Sequence, residues 1–311
     1  MKNVIRTVLG DIDPSQLGVT YLHEHLIIDS DIVEREFPHI HLPSAALAIA
    51  EVNLCKEVSV SAFVDCMPSG AGRNIGKLAE VSRETGTHVI SVTGLHHARY
   101  YRPDDDVEMM SAEELSLLFI REINTGAEGS EHKTGLIKTV TSGKEYSQRE
   151  KRLFEAAATA HKATGVPILT HCEHGTGALE QLELLQDLKV PLSSVILSHT
   201  DKETDLIYHR EILNSGVFVE YDQSLRQADA SSSPSAKLVL QMFEEGFGDQ
   251  IMFGTDGART SLWKAYGGTP GLFWLYSGWS KKLLAMGLDE GDLNQIFVTN
   301  PAKALSFKIV Q

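Results

Sequence analysis

Residues 135–172 read GLIKTVTSGKEYSQREKRLFEAAATAHKATGVPILTHC, with two apolar runs on either side of a helical segment. The runs at 136–141 and 167–172 are short and rich in residues that favour strands. The segment between them, 149–164, has the length and composition of a helix. A strand, a helix and a second strand in this order predict two parallel strands with the helix packed outside the sheet.

The same alternation runs through most of the chain. Further strands are predicted at 19–28, 59–66, 88–93, 195–200, 217–221 and 251–255, and further helices at 76–85, 178–188 and 235–245. Eight such units in 311 residues predict the α/β class and one domain, residues 1–311, folded as a closed (β/α)8 TIM barrel. A doubly wound open sheet is the alternative. That fold usually carries a glycine-rich fingerprint after its first strand, where this chain has His23-Glu24-His25.

Composition and charge exclude several classes of protein. Apolar residues make up 42% and charged residues 23%, the balance of an ordinary globular chain. The net charge of −14 argues against nucleic acid or an anionic membrane as a partner and leaves a small-molecule substrate. The N-terminus lacks the apolar segment of a secretory signal, and three cysteines cannot all pair, so we expect reduced thiols and a cytoplasmic protein. A polar stretch at 227–235 is predicted to be a mobile loop.

Histidine and aspartate residues stand at or near the ends of the predicted strands, where (β/α)8 enzymes build their active sites. His23 and His25 are two residues apart in the first strand, so their side chains are predicted to share one face. The same spacing recurs in the loop-like stretch 39–41, and the pair alone is therefore a weak signal. The other polar residues at strand ends are His171, His199 and Asp256.

Lys138 lies inside an apolar strand, where a charged ammonium is costly. It can reach the surface, form an ion pair or lose its charge. A neutral lysine can act as a nucleophile or base, or react with CO₂ to form a carbamate able to bridge two metals. The lysine alone favours the ion pair; its combination with four histidines and an aspartate favours a metal centre.

Imidazole and carboxylate ligands suit zinc, and also accept manganese, cobalt and iron(II). We therefore expect two divalent cations. One is assigned to His23, His25 and Asp256, the other to His171 and His199, with a carbamate on Lys138 between them. A hydroxide bridging two cations is a strong nucleophile near neutral pH. Asp256 is the predicted catalytic residue, because its carboxylate can accept and pass on the proton.

These residues resemble the phosphotriesterase-like family of the amidohydrolase superfamily. The resemblance extends from about residue 10 to 307 and is carried, in order, by His23-Glu24-His25-Leu26, Val64-Asp65, Gly72-Arg73-Asn74, Thr93-Gly94, Gly135-Leu136-Ile137-Lys138, Thr170-His171, Ser198-His199-Thr200-Asp201, Gly254-Thr255-Asp256 and Asn300-Pro301-Ala302. It implies a distorted barrel of the amidohydrolase type, a binuclear metal centre with a carboxylated lysine, ester hydrolysis and a homodimer. Members include organophosphate triesterases, lactonases and lactonases that act on phosphorylated sugar lactones.

Three residues are candidates for binding the substrate. Arg226 and Arg259 follow the last two strands, where this architecture builds anion sites, although a loop charge or an ion pair with Asp222 or Asp229 explains them equally well. Tyr100, with Tyr101 as the alternative, follows the third strand, near the position where lactonases of the family often have a tyrosine. These residues predict hydrolysis of a small lactone with an anionic group, of which a phosphorylated sugar lactone is one example.

Two other functions remain open. One is organophosphate or aryl-ester hydrolysis, with an apolar mouth supplied by Trp263, Phe273, Trp274 and Trp279, residues that the helical pattern of 271–286 assigns more readily to packing. The other is metal binding without catalysis, which the complete ligand set with Asp256 disfavours. Cys66 and Cys172 near strand ends are interpreted as small buried apolar residues rather than thiolates beside a metal.

Overall fold

The computed structural model describes residues 3–228 and 233–309. Its strands are β1 (Asn3–Thr7), β2 (Gly10–Ile12), β3 (Val19–Glu24), β4 (Val60–Asp65), β5 (His88–Gly94), β6 (Leu136–Thr141), β7 (Ile168–Cys172), β8 (Val195–Ser198), β9 (Phe218–Tyr221), β10 (Ile251–Phe253) and β11 (Phe307–Lys308). Strands β3 to β10 pair in chain order as one parallel sheet. The predicted (β/α)8 barrel is thereby confirmed, with each predicted strand within a few residues of an observed one.

The α-helices are α1 (Asp31–Glu36), α2 (Ala45–Glu57), α3 (Ile75–Thr85), α4 (Asp106–Met109), α5 (Ala112–Asn124), α6 (Gln148–Thr164), α7 (Ala178–Asp187), α8 (Leu206–Asn214), α9 (Pro234–Glu244), α10 (Ser280–Met286), α11 (Glu290–Asn294) and α12 (Asn300–Leu305). The π-helical turns Leu275–Trp279 and Gln295–Thr299 precede α10 and α12. Helix α6 shows how the sequence sets these bounds. Ser147 and Glu150 form a capping box at its start, and Gly165 ends it in the left-handed conformation.

The barrel closes between its first and last strands by an irregular seam. The backbone N–H groups of Thr255 and Asp256, just beyond β10, both donate to the carbonyl of His23, at 3.1 and 3.0 Å. The barrel is therefore distorted, as the family resemblance implies. The seam also brings the first and last predicted metal-binding segments into direct contact.

Two layers of apolar side chains hold the fold together. One fills the space between strands and helices, and the other fills the barrel interior, with Leu22, Leu136 and Leu169 among its members. Ile5 and Leu17 pack into the interior layer from outside the barrel strands. They belong to the N-terminal segment, whose strands β1 and β2 form an antiparallel sheet with β11. The sequence did not predict this sheet.

Three further observations bear on the sequence predictions. Cys55, Cys66 and Cys172 are free and buried, in keeping with reduced thiols. None of the helices in the described ranges combines the length and apolar character needed to cross a bilayer. The loop predicted at 227–235 includes 229–232, which lie outside the described residues.

Candidate metal centre

Four histidines converge at the carboxyl end of the barrel. The rings of His23 and His25 have centroids 5.4 Å apart, those of His23 and His199 are 4.6 Å apart, and those of His199 and His171 are 4.2 Å apart. They come from β3, β7 and β8 or from the residues that directly follow these strands. The structure thus brings together the imidazoles that the sequence assigned to two cations.

Local backbone irregularities aim these side chains. The pairing of β3 with β4 shifts register between Tyr21 and Glu24, and β3 ends before His25. The two histidines therefore reach the same site through a bulge and a strand end, not through the regular alternation that the sequence predicted. Strand β8 likewise ends at Ser198, and His199 takes a left-handed φ of 69°.

The first predicted ligand set lies close together. His25 Nε2 is 3.5 Å from Asp256 Oδ1, and one ligand atom from each of His23, His25 and Asp256 lies within 4.8 Å of the others. All three side chains are largely buried. The geometry therefore suits a single cation of the zinc type.

Lys138 is fully buried, and it shares the inward face of β6 with Leu136 of the interior core. Burial lowers the pKa of Lys138, and the pKa values of His23 and His171 are lowered by burial and also by the nearby Lys138 ammonium. The lysine thus belongs to the same polar cluster as the histidines. Its lowered pKa favours the neutral amine that carbamate formation needs.

Several buried polar atoms in this cluster lack a hydrogen-bond partner, and they test whether the residues fit a metal centre. They are His25 Nδ1, Lys138 Nζ, His199 Nε2 and both carboxylate oxygens of Glu220. Leaving one such atom unpaired costs about 1–3 kcal/mol, so their concentration in one place demands a compensating group. Cations, together with a carbamate on the lysine, would supply that compensation, and the residues therefore fit a binuclear centre.

His199 is oriented by a carboxylate that the sequence did not assign to the site. Its Nδ1 hydrogen-bonds to Asp222 Oδ2, with both groups buried. Burial raises the pKa of Asp222, but the attraction of His199 and Lys202 outweighs it and holds that pKa below its usual value. An ionised Asp222 accepts a hydrogen bond from the Nδ1–H of His199, which leaves the lone pair of Nε2 free to bind a metal.

Glu220 is a second residue that sequence reasoning missed. It is fully buried on β9, and its Oε2 lies 3.4 Å from His23 Nδ1. One ligand atom from each of Glu220, His23 and His199 lies within 4.8 Å of the others. Gly254 makes room for it, because a Cβ there would lie 2.7 Å from Glu220 Oε1. The signal was available: Glu220 is a charged residue inside the apolar run 217–221, as Lys138 is inside 136–141.

A cavity of 340 Å³ opens over the candidate metal centre. All three predicted substrate-binding residues line it, together with His96, Arg99 and Lys202. Tyr100 packs its ring edge-on against His96, at 4.7 Å between centroids. His39, from the second H-x-H pair in the loop-like stretch 39–41, also lines this cavity.

The two predicted anion-binding arginines differ in their contacts. Arg226 donates to Asp256 Oδ2 at 2.8 Å and to the backbone carbonyls of Asp222, Thr255 and Asp256. Arg259 is exposed, and within the described residues its guanidinium makes no ion pair or hydrogen bond. Among the described residues, Arg259 is therefore available to a ligand, whereas Arg226 is engaged with Asp256 and with backbone carbonyls of the site rather than with the Asp222 side chain. The alternative partner Asp229 lies outside the described residues.

The candidates for an apolar mouth are not found there. Trp263 and Trp279 are fully buried in the outer core, while Phe273 and Trp274 pack against that core. Burial raises the pKa of the Cys66 and Cys172 thiols, that of Cys172 to about 12. The two cysteines are therefore neutral apolar residues in the structure described here.

Comparisons with known proteins extend over nearly the whole chain. The family model described as the phosphotriesterase family matches residues 3–305. The phosphotriesterase homology protein of Escherichia coli is 30% identical over 292 residues, covering 94% of this chain and 98% of that protein. A phospho-furanose lactonase of Mycoplasmopsis synoviae is 27% identical over 97% of this chain and 91% of its own length.

A solved structure extends the comparison to the fold. The crystal structure of a lactonase from Listeria monocytogenes superimposes with a TM-score of 0.92 at 29% identity and covers 98% of this chain and 99% of its own. The family model, the two sequence relatives and the solved structure each match nearly the whole chain. The chain accordingly belongs to the phosphotriesterase family, a family of hydrolases that act on ester bonds.

Proposed function

We propose that this protein hydrolyses a small lactone that carries an anionic group, of which a phosphorylated sugar lactone is the best match. The observation that carries the proposal is the guanidinium of Arg259, which lies in the cavity above the candidate metal centre and has no ion pair or hydrogen bond within the part of the chain that the structure describes. A lactone carbonyl at the metal centre would place a charged substituent within the same cavity. The relatives named as a phospho-furanose lactonase and a lactonase support this substrate class.

The anion is assigned to Arg259, because its donors are free and arginine matches phosphate in a bidentate geometry. The contacts of Arg226 support a different role, that of holding the carboxylate of Asp256 in place. Tyr100 and His96 belong to the segment after β5 and also line the cavity, where they offer polar groups to the sugar hydroxyls.

Two divalent cations, for which zinc is the best match to these ligands, would supply Lewis acidity and ionise a water near neutral pH. His23, His25 and Asp256 would hold one, and His171 and His199 the other. Lys138 would join the two sites after its neutral amine nitrogen attacks the carbon of CO₂, forming an N–C bond and losing one proton. The burial of that amine without a partner supports this modification.

Asp256 would accept the proton of the attacking water and return it to the leaving alkoxide of the opened ring. Burial raises the pKa of Asp256, but the Arg226 guanidinium and the hydrogen bond with His25 hold the pKa well below its usual value. A carboxylate with a low pKa is a weak base, so taking this proton would depend on the cations making the attacking water acidic.

The test is a panel of lactones with and without a phosphate group, assayed with the zinc-loaded protein and after chelation. We expect the phosphorylated lactones to be opened fastest and chelation to abolish the reaction. Arg259→Ala should lower kcat/KM for the phosphorylated lactone about 10- to 100-fold, the loss of one charge-assisted hydrogen bond, and leave a neutral lactone unaffected. Arg210→Ala is the matched control, because Arg210 pairs with Glu245 and does not line the cavity.

Other outcomes select the alternatives. Turnover of organophosphate or aryl esters without lactone opening would make the protein a phosphotriesterase. No turnover of any ester by protein that holds two metals would make it a metal-binding protein. An unchanged kcat/KM of Arg259→Ala on the phosphorylated substrate would refute the anion site.

The homodimer and the cytoplasmic location are further proposals, supported by the family resemblance and by three free thiols respectively. Sedimentation equilibrium of the zinc-loaded protein tests the first, and cell fractionation tests the second.

A further inference from the structure

We propose that Glu173 is a positioning residue for His171, so that its carboxylate determines which nitrogen of that imidazole is offered to the second cation. The inference depends on the candidate metal centre and not on the identity of the substrate. It concerns a residue two positions beyond a predicted ligand, in the short turn Glu173–Gly175 that follows β7.

The contact between the two side chains is close. Glu173 Oε2 lies 2.6 Å from His171 Nε2, a charge-assisted distance for an N–H donor and a carboxylate acceptor. His174, the next residue, has a left-handed φ of 55°, and its side chain is 87% exposed. The turn therefore directs Glu173 back towards the barrel mouth while His174 points to solvent.

Two other side chains hold Glu173 from the segment after β5. His97 Nε2 is 3.3 Å from Oε2, and the guanidinium of Arg99 is 3.4–3.5 Å from Oε1. Both carboxylate oxygens thus have cationic or N–H partners.

The consequence for His171 follows from the chemistry of imidazole. A neutral ring has one N–H and one lone pair, and Glu173, as an acceptor, takes the N–H at Nε2. The lone pair is then on Nδ1, the nitrogen left for a cation beside His199, whose ring centroid is 4.2 Å away. Asp222 does the same for His199 with the opposite nitrogen, since it takes Nδ1 and leaves Nε2.

The experiment measures zinc affinity on the metal-free full chain by competition with a chromogenic chelator. Wild type should bind two zinc ions. In Glu173→Ala we expect one ion to bind as in wild type and the other to bind about 10- to 100-fold more weakly. Glu173→Gln should lose less, because its amide oxygen still accepts the N–H of His171. Cobalt(II) absorption of the same variants should show a changed spectrum for one of the two ions.

Glu180→Ala is the matched control. It removes the same charge from the neighbouring helix α7, where Glu180 contacts only the exposed Lys144 at 3.9 Å among the ion pairs of the described residues. Its zinc affinities should equal those of wild type.

Unchanged affinities in Glu173→Ala, or equal weakening of both ions, would overturn the proposal. If the alanine variant does not fold, Glu173→Leu, which fills the same space without an acceptor for the His171 N–H, decides, and wild-type affinity at both sites in that variant overturns the proposal. Because the readout is metal binding, a failure to hydrolyse lactones leaves this result intact and counts against the proposed function alone.

Discussion

Arg226 donates a hydrogen bond from Nη2 to Oδ2 of Asp256 at 2.8 Å, while Oδ1 of the same carboxylate lies 3.5 Å from His25 Nε2. The two oxygens of Asp256 are thus divided between an arginine and the predicted ligands of the first cation. Asp256 follows β10 with a left-handed φ of 44°, a backbone conformation that an aspartate adopts at a cost in energy. The guanidinium and the histidine together explain why that conformation persists.

Arg226→Ala should therefore impair all substrates alike. We expect kcat/KM to fall about 10- to 100-fold for both neutral and phosphorylated lactones, because the variant loses the group that orients Asp256. Steady-state kinetics on a matched pair of lactones measures this. A loss confined to the phosphorylated lactone would instead assign Arg226 to the substrate anion, as the sequence predicted.

Gly254→Ala should disturb the candidate metal centre. A Cβ there would lie 2.5 Å from the backbone nitrogen of His23 and 2.7 Å from Glu220 Oε1, so the backbone itself must shift. We expect a lower melting temperature, from overpacking of about 1–3 kcal/mol, and less than two zinc ions per chain. Gly143→Ala is the control, since its Cβ would meet nothing within 4 Å. Wild-type zinc content in Gly254→Ala would contradict the packing argument.

Glu24→Gln should change how stability depends on pH. Burial raises the pKa of Glu24 from 4.5 to about 8, although Thr255 donates to both of its oxygens. Between these values the folded state binds more protons than the unfolded state, so wild-type stability falls as pH rises through the window. The glutamine variant lacks this slope, which is at most about 1.4 kcal/mol per pH unit.

The measurement is urea unfolding of the metal-free wild type and variant at about pH 5 to 8, the interval between the ordinary and the raised pKa of Glu24. The difference in free energy of unfolding should grow with pH in favour of the variant. Parallel curves for the two proteins would show that Glu24 titrates normally in the folded chain.

Arg73→Met should destabilise the fold without touching the site. The guanidinium is fully buried and bonds to Glu122 at 2.7 and 2.9 Å, to Glu128 at 2.7 Å and to the carbonyl of Val92. Removing it leaves a buried carboxylate unpaired, at a cost of about 3–5 kcal/mol in chemical denaturation. Arg210→Met, which removes an arginine from the more exposed pair with Glu245, should have a much smaller effect.

The order of strands and helices could be predicted because it depends on local patterns. The strand predicted at 136–141 is observed as β6, and the helix predicted at 149–164 begins one residue earlier, at the capping box of Ser147. The antiparallel sheet around β1 could not be predicted in this way. Its strands are short, and β1 pairs with β11 across almost the full length of the chain, from Asn3 to Lys308.

The site shows the same division. Lys138 and the four histidines were visible in the sequence because a polar residue in or beside an apolar strand is costly and asks for a function. Glu173 and Asp222 were not assigned, because both lie in loops, where carboxylates are ordinary. Their importance comes from the histidines that they contact.

The chain by itself determined the eight-unit barrel and the residue types gathered at one end of it, since hydrophobic periodicity and the positions of strand ends are local properties of the sequence. The tertiary structure alone decided that Arg226 holds Asp256, that Arg259 is free, and which carboxylate accompanies each histidine. These pairings join residues that are 30 positions apart for Arg226 and Asp256 and 23 positions apart for His199 and Asp222. They depend on a bulge, on strand ends and on left-handed residues that set the direction of each side chain, which no periodic pattern records.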